Sequence, residues 1–133
     1  MKGAIPVKVY YKDTDAEGVV YYASYLGWLE MGRMELVEAL GVSQKKLRAE
    51  SGIVFAVSEV NCKYLSPAFL GDRLEVATTI SDVTGAKILF KQYITRPIDG
   101  KKVIDAQVTA FAMDLKRMAP GKIPKDLRDK FSA

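Results

Sequence analysis

At 133 residues, 49% hydrophobic and 27% charged, the chain has the size and composition of a single globular domain, residues 1–133, with one core. It has no histidine and one cysteine, Cys62. This excludes Ser-His-Asp and Cys-His triads, imidazole metal sites and an internal disulfide, and suits a reducing cytoplasm. The net charge of +4 is concentrated in residues 116–133, where six bases stand against two acids and Phe131 is the only aromatic residue. Such a segment is a solvated basic tail or an attractor of an anionic ligand, and lacks the interleaved aromatics of a nucleic-acid surface. No apolar run reaches the roughly 18 residues of a membrane span, and Met1–Pro6 carries no hydrophobic signal region.

In chain order, Lys8–Lys12 alternates weakly and predicts a first strand, with Val7, Val9 and Tyr11 on one face. A turn follows, Asp13-Thr14-Asp15-Ala16-Glu17-Gly18, then the apolar Val19-Val20-Tyr21-Tyr22. A helix is predicted from Tyr22–Ser24 to Leu40, with Leu26, Leu29, Leu36, Val37 and Leu40 at helical spacing. Trp28, Met31 and Met34 lie off that stripe and widen it, which predicts a helix buried over most of its circumference. Gly41 suits the left-handed exit of such a helix. Glu30 and Arg33, three apart, are expected to form a modest ion pair. Ser43 is placed to cap a short helical turn.

After Gly52, four strand-like runs rich in Val, Ile, Thr, Tyr and Phe follow: Ile53–Tyr64, Arg73–Ser81, Ala86–Thr95 and Lys102–Leu115. Leu74, Val76, Thr78 and Ile80 alternate with Arg73, Glu75, Ala77 and Thr79, so one face is apolar. Short glycine-bearing connections predict antiparallel neighbours in a meander-like series. The resulting α+β arrangement is a curved five-stranded antiparallel sheet wrapped around one long helix. One helix covers such a sheet incompletely, so at least a dimer, paired along an exposed edge, is expected.

The chemistry is expected in Tyr10–Gly41. Three carboxylates and a glycine are held between an apolar wall and a helix N-terminus, where charge is costly and backbone N–H groups are free. Gly18 permits the tight turn that brings a carboxylate to the helix end. Asp13 reads as a turn-stabilising side chain, Glu17 as exposed and Cys62 as a core residue.

The stretch Tyr-Lys-Asp-Thr-Asp-Ala-Glu-Gly-Val-Val-Tyr-Tyr-Ala-Ser-Tyr, followed by Glu30, Arg33 and Glu35, resembles the hot-dog-fold acyl-CoA thioesterases. Within them it is most similar to the 4-hydroxybenzoyl-CoA thioesterase family and its YbgC-like branch. The segment Tyr64-Leu-Ser-Pro-Ala-Phe-Leu-Gly-Asp72 and the tail from Pro120 to Pro124 extend the resemblance over nearly the whole chain. It implies hydrolysis of acyl-CoA thioesters, with Asp15 as nucleophile or general base and the backbone N–H of Tyr22 polarising the thioester carbonyl.

Many members of that branch carry histidine where this chain has Tyr22; a backbone role survives the change and an imidazole role does not. The resemblance further implies that Ser58, Val60 and Asn61 lie on the strand lining the pantetheine tunnel, and that Lys87 meets coenzyme A phosphates. No cofactor or metal is implied beyond coenzyme A as part of the substrate. Acyl carrier protein is an alternative acyl donor, and a homodimer assembling to a homotetramer is the implied state. Tyr25, Trp28, Met31 and Phe55 are expected around a pocket between subunits. The competing readings are a non-catalytic acyl-CoA or acyl-carrier-protein binding module on the same fold, and a dehydratase or isomerase, which typically needs a histidine.

Overall fold

In the computed structural model, which describes residues 1–132, every strand pairing is antiparallel. The elements are β1 (Lys2–Lys8), a 3-10 turn (Tyr11–Asp13), α1 (Ser24–Ala39), α2 (Gln44–Ser51), β2 (Ile53–Tyr64), β3 (Arg73–Val83), β4 (Lys87–Arg96), β5 (Lys101–Asp114), β6 (Ala119–Pro120) and α3 (Lys125–Ser132). The sheet order is β1-β3-β4-β5-β2, with the short β6 on β5. The curved sheet thus has six strands, five of them long, and α1 packs on its inner face against β1 and β3.

The first strand lies earlier than its alternation predicted. β1 ends at Lys8, and Tyr10–Asp13 folds back because Asp13 bonds Tyr10 twice. Its N–H donates to Tyr10 O at 3.0 Å, and its Oδ2 accepts the Tyr10 N–H at 2.9 Å. That closure buries Val9 and leaves Tyr11 81% exposed, so the two do not share a face.

The four later strands follow their predicted spans closely, and Leu74, Val76, Thr78 and Ile80 all point inward. The meander holds only for β3-β4-β5. The 65–72 segment carries the chain across the sheet, so β2 pairs with β5 at the far edge and its other side has no strand beside it among the described residues. Ser58 is the extra residue of a bulge between Val57 and Glu59, which bends that edge.

α1 buries Tyr25, Trp28, Leu29, Gly32, Leu36 and Val37, whereas Leu26, Met31 and Met34 are exposed. The helix is therefore two-faced and not buried all round. Gly32 is where it touches the sheet: a Cβ there would sit 2.7 Å from Thr78 Oγ1 and 2.9 Å from Val76 Cγ1. Gly41, with φ of 90°, ends the helix, and Ser43 Oγ accepts the Lys46 N–H to start α2.

The basic tail is not simply solvated. Ile123, Leu127 and Phe131, four residues apart, are buried, and Phe131 meets Phe55 edge-to-face with centroids 6.0 Å apart. Each such burial is worth about 1.5–3 kcal/mol, which holds α3 against the end of the sheet while Lys125 and Lys130 face water.

Candidate active site

Thr14 and Val20 pair as an antiparallel bridge, and between them the chain makes a hairpin. Gly18 N–H donates to Asp15 O at 3.1 Å and Asp15 N–H to Val19 O at 2.9 Å, closing the tip, with Gly18 at φ of 79°. A second bridge, Val19 to Phe69, ties this hairpin to the 65–72 segment, and Val20 N–H donates to Ala68 O at 2.9 Å. Asp15 is exposed at the tip, where its Oδ1 accepts the Glu17 N–H at 2.8 Å. One carboxylate oxygen is thus spent on holding the turn, and the carboxylate has no cation partner among the described residues.

Asp13 has the opposite environment. It is 5% exposed, and its oxygens hold the Tyr10 N–H and Lys12 Nζ at 2.9 and 2.8 Å. Its backbone oxygen also accepts the Tyr21 N–H at 2.8 Å and the Ser24 hydroxyl at 3.3 Å. Asp13 is a scaffold for the run into α1, as the sequence predicted.

The pairing sets Asp15 opposite Val19 and Asp13 opposite Tyr21, so the Asp13 end of this arm lies beside the start of α1 and Asp15 lies two residues further along it, at the tip. α1 itself begins at Ser24, two residues after Tyr22. The N–H groups of Tyr22 and Ala23 have no protein acceptor among the described residues, whereas those of Tyr21 and Ser24 are both used. Free donors at a helix start carry the positive end of the helix dipole.

Four aromatic side chains gather at this point. Tyr64 Oη donates to Tyr22 O at 3.3 Å, and its ring meets Tyr25 at 5.7 Å. Tyr21 and Tyr22 pack at 4.6 Å, and the neighbouring Tyr22 side chain raises the Tyr21 pKa. Burial raises the Tyr25, Tyr64 and Cys62 pKa values, so these groups stay protonated at neutral pH. Cys62 is half-buried against the core, as expected of a packing residue.

A cavity of about 420 Å³ runs along α1 from Leu26 and Gly27 to Val37, between the helix and strands β2, β4 and β5. Of the residues assigned to substrate, Val60 lines it, while Ser58 and Asn61 lie exposed on β2 and do not. Of the expected pocket residues, Phe55 lines it, Tyr25 and Trp28 are buried in the core, and Met31 is exposed outside it. Glu30 and Arg33 both line the cavity but do not pair: Arg33 Nη1 donates instead to Gln92 Oε1 at 3.0 Å. Gln92 lies 59 residues away in sequence, so local spacing gave no sign of it.

Lys87 opens β4 at the opposite end of the sheet from the Asp15 hairpin. It pairs with Phe111, whereas the 65–72 segment that holds the hairpin hangs from Val103. Eight residues of strand separate these points, roughly 27 Å. Lys87 does lie at the end where Ile123 N–H donates to Gly85 O, beside the basic α3.

A family model described as the thioesterase-like superfamily matches residues 9–131. The chain is 39% identical over 128 residues to the acyl-CoA thioesterase YbgC of Haemophilus influenzae, covering 96% of this chain and 93% of that one. It is 37% identical over 126 residues to the acyl-CoA thioester hydrolase YbgC of Escherichia coli, covering 95% and 92%. Its backbone superposes on the 1,4-dihydroxy-2-naphthoyl-CoA thioesterase of Synechocystis with a TM-score of 0.91 at 19% identity, covering 99% and 96%, which shows the fold to be the hot-dog fold. The chain therefore belongs to the thioesterase-like superfamily, in its YbgC-like branch.

Proposed function

We propose that the protein hydrolyses acyl-CoA thioesters to a free acid and coenzyme A at the Asp15 hairpin. The observation that carries this is the pair of unspent N–H groups, Tyr22 and Ala23, at the start of α1, beside an arm bearing an exposed carboxylate. The Tyr22 N–H polarises the thioester carbonyl and takes up the charge that develops on its oxygen.

Asp15 then acts in one of two ways. As nucleophile, its free oxygen bonds to the carbonyl carbon, the C–S bond breaks, the coenzyme A thiolate leaves and takes a proton, and water hydrolyses the mixed anhydride. As general base, it takes a proton from water whose oxygen bonds to the same carbon, and the thiol leaves with that proton. Either route uses water and needs no cofactor or metal, and acyl carrier protein is an alternative carrier of the same thioester.

We further propose that two copies pair along β2, whose outer edge has no strand beside it among the described residues and beside which Val57 and Val60 stand exposed at the cavity wall. Two-fold pairing of one strand with its copy is antiparallel by symmetry. It sets the Lys87 end of one protomer beside the Asp15 end of the other, which reconciles their separation within a chain with a shared role for Lys87 on the coenzyme A phosphates. Ser58 and Asn61 then line the seam, Gly18 shapes the turn, and two dimers assemble to a tetramer. The single free thiol of Cys62 suits the cytoplasm as the place of reaction.

A thiol-release assay over short, long and aromatic acyl-CoAs tests the reaction. Turnover of at least one class is expected; tight binding of acyl-CoA with no thiol released from any would make the protein a binding module instead.

A further inference from the structure

Arg33 is a cation with no counter-ion in an apolar place. It is half-buried and lines a cavity whose other walls include Leu29, Val37, Phe55, Ile88 and Phe90. Among the described residues no carboxylate lies within 4.0 Å of it. Its pKa is lowered chiefly by burial, with Glu30 acting weakly in the other direction. Glu30 is exposed, so water screens its influence.

The guanidinium is also held in place. Gln92 is fully buried, and its Nε2 donates to Leu29 O and to Thr78 Oγ1, both at 2.9 Å. This turns Oε1 to accept from Arg33 Nη1 at 3.0 Å. Gly32 lets the helix close onto that pair, since a Cβ there would stand 3.1 Å from Gln92 Nε2. Three buried groups are thus committed to orienting one arginine, while four of its five N–H donors have no protein acceptor among the described residues. An oriented, partly desolvated guanidinium with spare donors is a carboxylate receptor.

We infer that Arg33 reads the far end of the acyl chain and selects acyl groups that end in a carboxylate. The inference rests on the thioester carbonyl sitting at the Tyr22 N–H. From Ala23 to Arg33 the chain rises about 15 Å along the helix axis. An extended chain covers that span in about 13 bonds, at the ~3.3–3.6 Å per three bonds of an extended backbone. The fitting substrate is therefore an ω-carboxyacyl thioester of roughly a dozen carbons.

The test compares dodecanedioyl-CoA with dodecanoyl-CoA, which differ only at the far end. Dissociation constants are measured by calorimetry on Asp15→Asn, where binding is read without turnover, and again on Asp15→Asn carrying Arg33→Met. The carboxyl-ended thioester is expected to bind roughly tenfold tighter or better, as for a charge-assisted hydrogen bond, with the ratio falling to near one when Arg33 is removed. Equal dissociation constants with Arg33 present would overturn the inference, and so would a preference that survives Arg33→Met. Arg33→Met deprives Gln92 Oε1 of its donor, so melting is checked, and Arg33→Lys, which keeps the charge, is expected to retain part of the preference. Turnover by the native enzyme is read separately: a binding preference without thiol release would sink the hydrolase assignment and leave Arg33 as a carboxylate receptor.

Discussion

At the scale of single residues, the site divides two carboxylates by environment. Asp13 is buried and fully bonded, and Asp15 is exposed with one oxygen free; only the second is available to a substrate. The same logic separates the backbone of Tyr22 from its side chain. The ring is 61% exposed and packs on Tyr21, and the group assigned to catalysis is the N–H. Tyr22→Phe is therefore expected to keep kcat within a few-fold, because the amide and the helix start are untouched. Steady-state kinetics check this; a loss of a hundredfold would give the hydroxyl the role assigned here to the backbone.

At the scale of elements, the tightest fit is that of α1 on the sheet at Gly32. Gly32→Ala is expected to destabilise the fold by about 1–3 kcal/mol, since the new methyl meets Thr78, Val76 and Gln92, which are packed or hydrogen-bonded to one another. Urea unfolding would show it as a lower midpoint at unchanged slope.

A second element-scale device is Arg96. Its Nη1 donates to Pro67 O at 3.1 Å and Asp72 Oδ2 at 3.0 Å, and its Nε to Asp99 Oδ2 at 3.0 Å. It thereby ties the 65–72 segment, on which the Asp15 hairpin leans, to the β4–β5 turn. The Asp99 pKa is lowered, first by the Lys101 N–H and then by Arg96. A carboxylate whose pKa is lower folded than unfolded adds stability above its unfolded value of 3.8, and that stability is lost as pH falls through the lowered value. Melting temperature should accordingly drop below about pH 4, and drop less steeply in Asp99→Asn.

What the sequence disclosed follows from the range of the forces involved. The Leu74–Ile80 alternation, the Gly18 turn and the Ser43 cap are local, and all three were legible. β1 was displaced because the side chain of Asp13 ends it, a bond that alternation does not encode. β2 was placed in a meander because its pairing with β5 spans half the chain. α3 was hidden by its six-base segment, although Ile123, Leu127 and Phe131 carried the helical spacing. The Asp15 turn was legible as a tight turn before a helix start because charge, glycine and helix start fall within a few residues. The Arg33–Gln92 bond was not, because it joins a helix to a strand far along the chain.

At the scale of the whole molecule, charge and edges point the same way. Residues 44–52 carry three bases and one acid, and residues 116–132 six bases and two acids, so this end holds +2 and +4. The remainder of the chain is then −2 against a total of +4. The two segments adjoin, since Lys130 Nζ donates to Gly41 O at 3.4 Å and Lys116 lies against Gly52. In the proposed dimer this positive end lies beside the partner's Asp15 hairpin, which suits an anionic thioester. In the proposed pairing along β2 the exposed Val60 stands by the seam, so Val60→Lys is expected to yield monomers by light scattering and to lower turnover with them. Monomers that keep full activity would separate the site from the interface.

The measurement that bears most directly on the central claim is thiol release by Asp15→Asn against the native protein, on whichever acyl-CoA turns over fastest. The substitution keeps the side chain's shape and its bond from the Glu17 N–H, so melting should change little. The account predicts kcat lower by roughly a hundredfold or more. Undiminished turnover in a folded Asp15→Asn would contradict it and move the chemistry away from the hairpin.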